Sequence, residues 1–236
     1  FWGDSIGLEG LIAATRLTGD ERYRSYVYGL MKAWAATSAN SVDLHRDDPD
    51  TFEYTAAGVA LLSLYEHYRD PALLRTARRH ADYLAGFRRT HAGAYVRYEN
   101  AAIELPPELP PDHPEAARAH SPAPVSPDAA PGRGGGPCVF VDNMHFDGPF
   151  FAKLYTVTQE ERFRQLAVDN VLSSVELLLD RETDLFHHFW MEETRRQNGV
   201  LWGRGNGWAM LGLLETLEHL PEKDPAHGVM LDLFQK

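Results

Sequence analysis

Apolar residues along this chain recur at helical spacing. Leu61, Leu64, Tyr65 and Tyr68 stand at i, i+3, i+4 and i+7, and Val168, Leu172, Val175 and Leu179 follow the same period. Each run therefore lays one apolar stripe along one face of a helix. The pattern predicts helices near 5–17, 20–37, 54–68, 71–87, 143–157, 160–179, 206–218 and 225–236. Alternation with a period of two is confined to 93–98 and to Val139-Phe140-Val141, the brief candidates for strand.

A short turn punctuates the helices and repeats. Thr18-Gly19-Asp20-Glu21-Arg22-Tyr23 is echoed by Tyr68-Arg69-Asp70-Pro71-Ala72-Leu73 and by Thr158-Gln159-Glu160-Glu161-Arg162-Phe163, with Pro221–Pro225 a looser fourth copy. In each, an apolar helix stops, an acidic or proline-bearing turn follows, and acidic residues near the start of the next helix suit its dipole. The expected fold class is all-α, with helical hairpins in series that form an open solenoid or close into a ring. In a ring the inner helices crowd and need small residues. Gly7, Gly10, Ala13 and Ala14 fit that role, as do Ala56, Ala57, Gly58 and Ala60. The turns at one end would then converge on a central pocket. Residues 101–137 break the pattern, since ten of the 15 prolines fall there beside a run of glycines. They read as a long surface insertion within a single domain covering 1–236. The chain opens without Met and stops inside the helical pattern Met230–Phe234, so it reads as a fragment of a longer one.

A length of 236 residues suffices for one large domain with a sizeable core. The formal charge of −11 argues against nucleic acid and against anionic membrane surfaces as partners. The single cysteine, Cys138, has no partner for an internal disulfide. No apolar run is long enough to span a bilayer. No signal-peptide pattern is visible, but the start of the chain reads as truncated, so the compartment is left unknown, with the cytoplasm favoured. The sequence is silent on oligomeric state.

Three clusters carry candidate chemistry. In Leu201–Trp208, Gly203 and Gly205 permit a tight turn that presents Arg204 outward. Asn206 suits the N-cap of a helix with Met210, Leu213, Leu214 and Leu217 on one face. An arginine at a helix start is a ready anion site, and Trp202 and Trp208 offer flat platforms for a sugar ring. The plain alternative is a glycine-rich turn with core tryptophans. In Val139–Phe151, Asp142 suits either a helix N-cap or an acid whose pKa is raised by burial beside Val141, Met144 and Phe146. Asp147 lies five residues on, roughly 140° round a helix, and reads as structural. In Asp184–Trp190, His187 and His188 point in different directions, so at most one faces a pocket. His145 with one of them is too thin a set for a metal, and no cofactor is expected. No Ser–His–Asp arrangement stands out. Ordinary glycosidases need two carboxylates at a fixed separation, and Asp142 has no clear second.

These residues resemble glycoside hydrolase family 105, the unsaturated rhamnogalacturonyl hydrolases. The likeness rests on Trp202-Gly203-Arg204-Gly205-Asn206-Gly207-Trp208, on Val141-Asp142 followed by Gly148-Pro149-Phe150, on Leu185-Phe186-His187-His188, and on Trp2-Gly3-Asp4. The related family 88, unsaturated glucuronyl hydrolases, shares the fold. The resemblance implies an (α/α)6 barrel of six hairpins, incomplete in this chain. It implies a small oligosaccharide partner with a terminal 4,5-unsaturated uronic acid, the product of a pectin or rhamnogalacturonan lyase. It also implies hydration of the C4=C5 bond by one Asp, which accounts for the missing second carboxylate. Carried onto this chain, Asp142 is the acid/base and His188 a substrate contact. Arg204 meets the uronate or a nearby polar group, Trp202 and Trp208 shape the sugar site, and Trp2 lines it. Relatives often read Arg-Thr-x-Asp-Gly-Gly-Phe where this chain has Arg89-Thr90-His91-Ala92-Gly93-Ala94-Tyr95, so Ala92 replaces a substrate-contacting Asp. The readings that compete are a family-88-like hydrolase of glycosaminoglycan fragments and a non-catalytic carbohydrate-binding toroid.

Overall fold

The computed structural model of the chain describes residues 2–38, 56–97 and 137–236. The expected insertion at 101–137 lies almost wholly outside the described residues. The chain packs into two compact units, one of residues 1–87 with 149–167 and the other of 88–148 with 168–236. Among the described residues, no helix is long and apolar enough to cross a membrane.

The first unit is built from helical hairpins. Helices α1 (Trp2–Thr18) and α2 (Glu21–Ser38) form one, and α3 (Gly58–Tyr68) and α4 (Pro71–Ala85) another. The repeated turn has one physical form. Its second residue enters the left-handed region, at Gly19 (φ 73°), Arg69 (φ 55°) and Gln159 (φ 59°). The acid that follows caps the next helix in the first two copies: Asp20 accepts from Arg22 N at 3.0 Å and Asp70 from Ala72 N at 2.9 Å. Val27, Met31, Leu61, Leu64, Leu73, Phe150 and Phe163 are buried in this unit. Gly58 is required by close approach, because a Cβ there would run into the Phe150 ring. Small residues behave differently in the two hairpins. Ala56, Ala57, Gly58 and Ala60 are largely buried as expected of an inner helix, whereas Gly7, Gly10 and Ala13 of α1 are exposed.

The second unit carries more strand than the periodicity predicts. Strands β1 (Cys138–Phe140), β4 (Phe189–Met191) and β5 (Arg196–Gln197) form an antiparallel sheet in the order β1-β4-β5. Strands β2 (Leu179–Asp180) and β3 (Leu185–Phe186) form a separate pair. These strands are two or three residues long, too short to show alternation. Around them lie the one-turn helix α5 (Asn143–Phe146), the later part of α7 (Glu161–Leu178), α8 (Gly203–Leu217) and α9 (Pro225–Phe234), with Asp224 capping α9.

Two predicted helices are corrected. The helix expected over 143–157 is broken into α5 and α6 (Gly148–Thr158). Pro149 lacks an N–H and its ring would strike the carbonyl four residues back, so the helix stops before it. Helix α8 starts at Gly203, with Trp202 at the N-cap and no side-chain capping bond, so Asn206 is not the cap.

Candidate active site

The second unit brings Asp142, His188, Trp202 and Arg204 together through backbone pairing. Strand β1 pairs with β4, Val139 facing Trp190, and the ladder continues when Val141 N donates to His188 O at 3.0 Å. His188 N donates in turn to Val200 O at 2.9 Å, and His187 bridges to Leu201. The residue after Val141 is therefore set beside His188, and the residues after Leu201 arrive on its other flank.

Asp142 stands at the N-cap of α5 with helical angles (φ −59°, ψ −29°) and no side-chain capping bond. Its carbonyl, not its carboxyl, serves the helix, accepting from His145 N and Phe146 N. The carboxyl is thus available for other work. Its Oδ2 is buried without a hydrogen-bond partner, and the side chain is 14% exposed. Burial raises its pKa to about 6, against the pull of its own amide, Arg204 and His145. His188 Nε2 lies 4.0 Å from Asp142 Oδ2, beyond hydrogen-bond reach. Burial, with Arg204 as the lesser cause, lowers the His188 pKa to about 4, so its ring is neutral near pH 7.

Aromatic stacking fixes the His188 ring. Phe189 lies 3.8 Å from it, centroid to centroid, and Trp202 4.3 Å away at a tilt of 41°. The Arg204 guanidinium rests 4.2 Å over Trp202, on the exposed side of α8. Phe189, His188, Trp202 and Arg204 thus form one column ending in a cation.

Glycines let α8 come close. A Cβ at Gly205 would lie 2.6 Å from Val141 Cγ1 and 2.8 Å from Trp202 Cε3, and one at Gly212 would enter the Met144 carbonyl. Neither glycine has a positive φ, so close approach, not a left-handed turn, is the reason for Gly205. Asn206 ties the helix to β3. It accepts from Phe186 N at 2.7 Å and donates to Phe186 O and Trp202 O, both at 3.0 Å.

Two named residues stand apart from that column. Trp208 is 9% exposed and lies against His145 (4.9 Å, 16°) and Phe146 (5.6 Å), inside the packing of α8 on α5. Trp2 begins α1 in the other unit, and its side chain lies outside the described residues. The turn at Ala92 and Gly93 (φ 112°) is pinned to α7 by Ser173 Oγ donating to Ala92 O.

Sequence reasoning missed the partners behind the site. His145 Nδ1 lies 3.1 Å from Glu215 Oε2. Arg97, 1% exposed, donates to Asp147 Oδ2 at 2.8 Å, so the structural role read for Asp147 has a specific form. The alternation over 93–98 held the available signal, for it sets Tyr95 and Arg97 on one face.

The family model described as Glycosyl Hydrolase Family 88 matches residues 1–236. The chain belongs to that family. It is 23% identical over 234 residues to an unsaturated rhamnogalacturonyl hydrolase of Bacillus subtilis, covering 97% of this chain and 56% of that protein. The chain thus spans about half the length of this curated relative. A possible member of family 105 from Klebsiella pneumoniae superposes with a TM-score of 0.69 at 20% identity, over 99% of this chain and 52% of that one. An α-1,6-mannanase from Salegentibacter sp. superposes with a TM-score of 0.65 at 15% identity, over 99% and 57%. The likeness shows the fold, an incomplete α/α toroid. That a mannanase shares it means that function must be argued from the site.

Proposed function

We propose that the protein is a glycoside hydrolase that hydrates the C4=C5 double bond of a terminal unsaturated uronyl residue, with Asp142 as the single acid/base. The observation that carries this reading is the buried Asp142 carboxyl, its Oδ2 without a hydrogen-bond partner and its pKa raised to about 6 across a gap from a neutral His188. An acid meant for a proton transfer near neutral pH needs that environment. The relative from Bacillus subtilis, by its name, supports the substrate class.

In the proposed reaction the Asp142 proton goes to C4 and the C5 cation is met by water. The Asp142 carboxylate takes the water's proton, so the acid is regenerated. The hemiketal formed at C5 opens and the adjoining sugar leaves. Arg204 holds the uronate. Trp202 and His188 bound the sugar face, and Trp208, packed on His145, supports the wall from beneath.

The test is loss of ultraviolet absorbance of the conjugated double bond. The substrates are unsaturated rhamnogalacturonan disaccharide and, in parallel, unsaturated glucuronyl disaccharides, because Ala92 stands where the resemblance expects a substrate-contacting Asp. Decay with one of them, abolished by Asp142→Asn in a folded protein, supports the reading. No decay with any of them, between about pH 5 and 8, overturns it.

A further inference from the structure

The one-turn helix α5 carries Asp142 at its head and is held at both ends by one buried guanidinium. Arg97 Nη2 donates to Asp147 Oδ2 at 2.8 Å, just past the last residue of α5. Its Nε donates to Asn143 Oδ1 at 3.4 Å, on the first residue. The Arg97 backbone exchanges two hydrogen bonds of 2.8 Å with Cys138, so the same residue is tied to the strand that leads into Asp142. Asn143 also donates to Tyr95 O at 3.3 Å, and Asn170 Nδ2 of α7 reaches Asn143 O at 3.1 Å. A helix of four residues makes too few bonds of its own to set its direction; these contacts impose it. Stability alone is a poor reason for a buried ion pair, since apolar side chains of similar volume usually hold a fold as well.

We propose that Arg97 is a positioning residue for the reaction. Through Asn143 and Asp147 it fixes α5, and with it the aim and the dry surroundings of the Asp142 carboxyl. This rests on the reading of Asp142 as the acid. The charged and titratable groups that face Asp142 are His188 ahead of β4, Arg204 of α8, and His145 of α5 with Glu215 beside it. Arg97 belongs to none of these elements and acts by holding α5.

The experiment uses two variants. Arg97→Lys keeps the charge, but an ammonium on a flexible stem does not span Asn143 and Asp147 as the guanidinium fork does. Arg97→Met with Asp147→Leu removes both charges together and leaves neither buried alone. In each, kcat on the unsaturated disaccharide is expected to fall about a hundredfold with KM unchanged. The alkaline limb of the pH profile is expected to move toward the ordinary carboxylate range. A second readout needs no turnover: the stability gained by Asp142→Asn, measured against pH in each background, should stop growing at a lower pH and reach a lower plateau, because the upper edge of its window follows the folded Asp142 pKa while the lower edge belongs to the unfolded chain. A folded double variant with the parent's kcat, pH limb and stability window overturns the proposal, as does failure of both variants to fold. If the parent turns over no unsaturated uronide, the functional reading falls, and the stability window still decides whether Arg97 governs α5.

Discussion

Replacing Asp142 by Asn should make the protein more stable, and only above a defined pH. The carboxyl has a pKa of about 6 in the folded protein against 3.8 for the free side chain. The folded state therefore binds this proton more tightly than the unfolded state does. Below pH 3.8 both states hold it and the group is neutral in its effect. As pH rises through the window from 3.8 to about 6, the unfolded chain releases the proton first, and the folded protein is forced to ionise a carboxyl in a dry place. Stability falls across that window and stays low above it. At about 1.36 kcal/mol per pKa unit, the loss is close to 3 kcal/mol at pH 7 and above. Asn is neutral throughout and escapes it. Any cost of seating the Asn amide is the same at every pH, so the informative quantity is the change with pH. Urea unfolding of both proteins at pH values spaced from about 4 to 8 measures it. The expected stability difference is already growing in favour of Asn at about pH 4, rises steadily to about pH 6, and levels off by about pH 7. A difference that does not vary with pH would show that the Asp142 carboxyl is solvated in the folded protein, and the reasoning from burial to acid would be refuted.

Arg204→Ala should raise KM about ten- to a hundredfold, the worth of hydrogen bonds to a charged group. It should also move the pH–rate profile upward, because Arg204 lowers the pKa of both Asp142 and His188; a profile shifted downward would contradict this placement. Gly212→Ala should destabilise by about 1–3 kcal/mol, since its Cβ would enter the Met144 backbone and force α8 off α5. Gly207→Ala, on the open side of the same helix, should stabilise by about 0.5–1 kcal/mol; denaturant midpoints compare the two. His80 is buried edge-on to Trp34 with neither ring nitrogen hydrogen-bonded, and burial lowers its pKa from 6.5 to about 4. Its unfolded state binds the proton first, so stability falls by about 3 kcal/mol as pH drops from 6.5 to 4. His80→Leu should remove that part of the acid sensitivity, measured by unfolding at about pH 7 and pH 4.5.

The helices were legible because their signal is long. A stripe over three turns and a turn that recurs with an acid after a left-handed residue both survive small errors of boundary. The strands were not, because β2 to β5 are fixed by pairing, β2 with β3, β4 with β5, and β4 also with the distant β1, where Cys138 stands opposite Met191. A segment of two residues has no period. Asp142 was found by its surroundings, an apolar run meeting a helix start. Its freedom from capping was not readable, since a capping and a non-capping Asp look alike until the backbone angles are known. Asn206 misled for the same reason. A good cap residue stood near a helix start, but its amide serves the backbone of β3 and Trp202.

The same difficulty explains why Trp202 and Trp208 part company. In sequence they flank Arg204 as an apparently symmetrical pair. On a helix that begins at Gly203 they are not equivalent. Trp202 precedes the first turn and stays extended (φ −96°, ψ 120°), free to lie beside His188 and under the cation. Trp208 is well inside the helix, where its direction is set by the turn that packs on α5. Gly205 lies between them because both sides of that turn are occupied, by Val141 on one and the Trp202 ring on the other. The motif therefore encodes a close helix contact as much as a ligand surface. The residue that makes the contact possible lies against Val141, immediately before the acid.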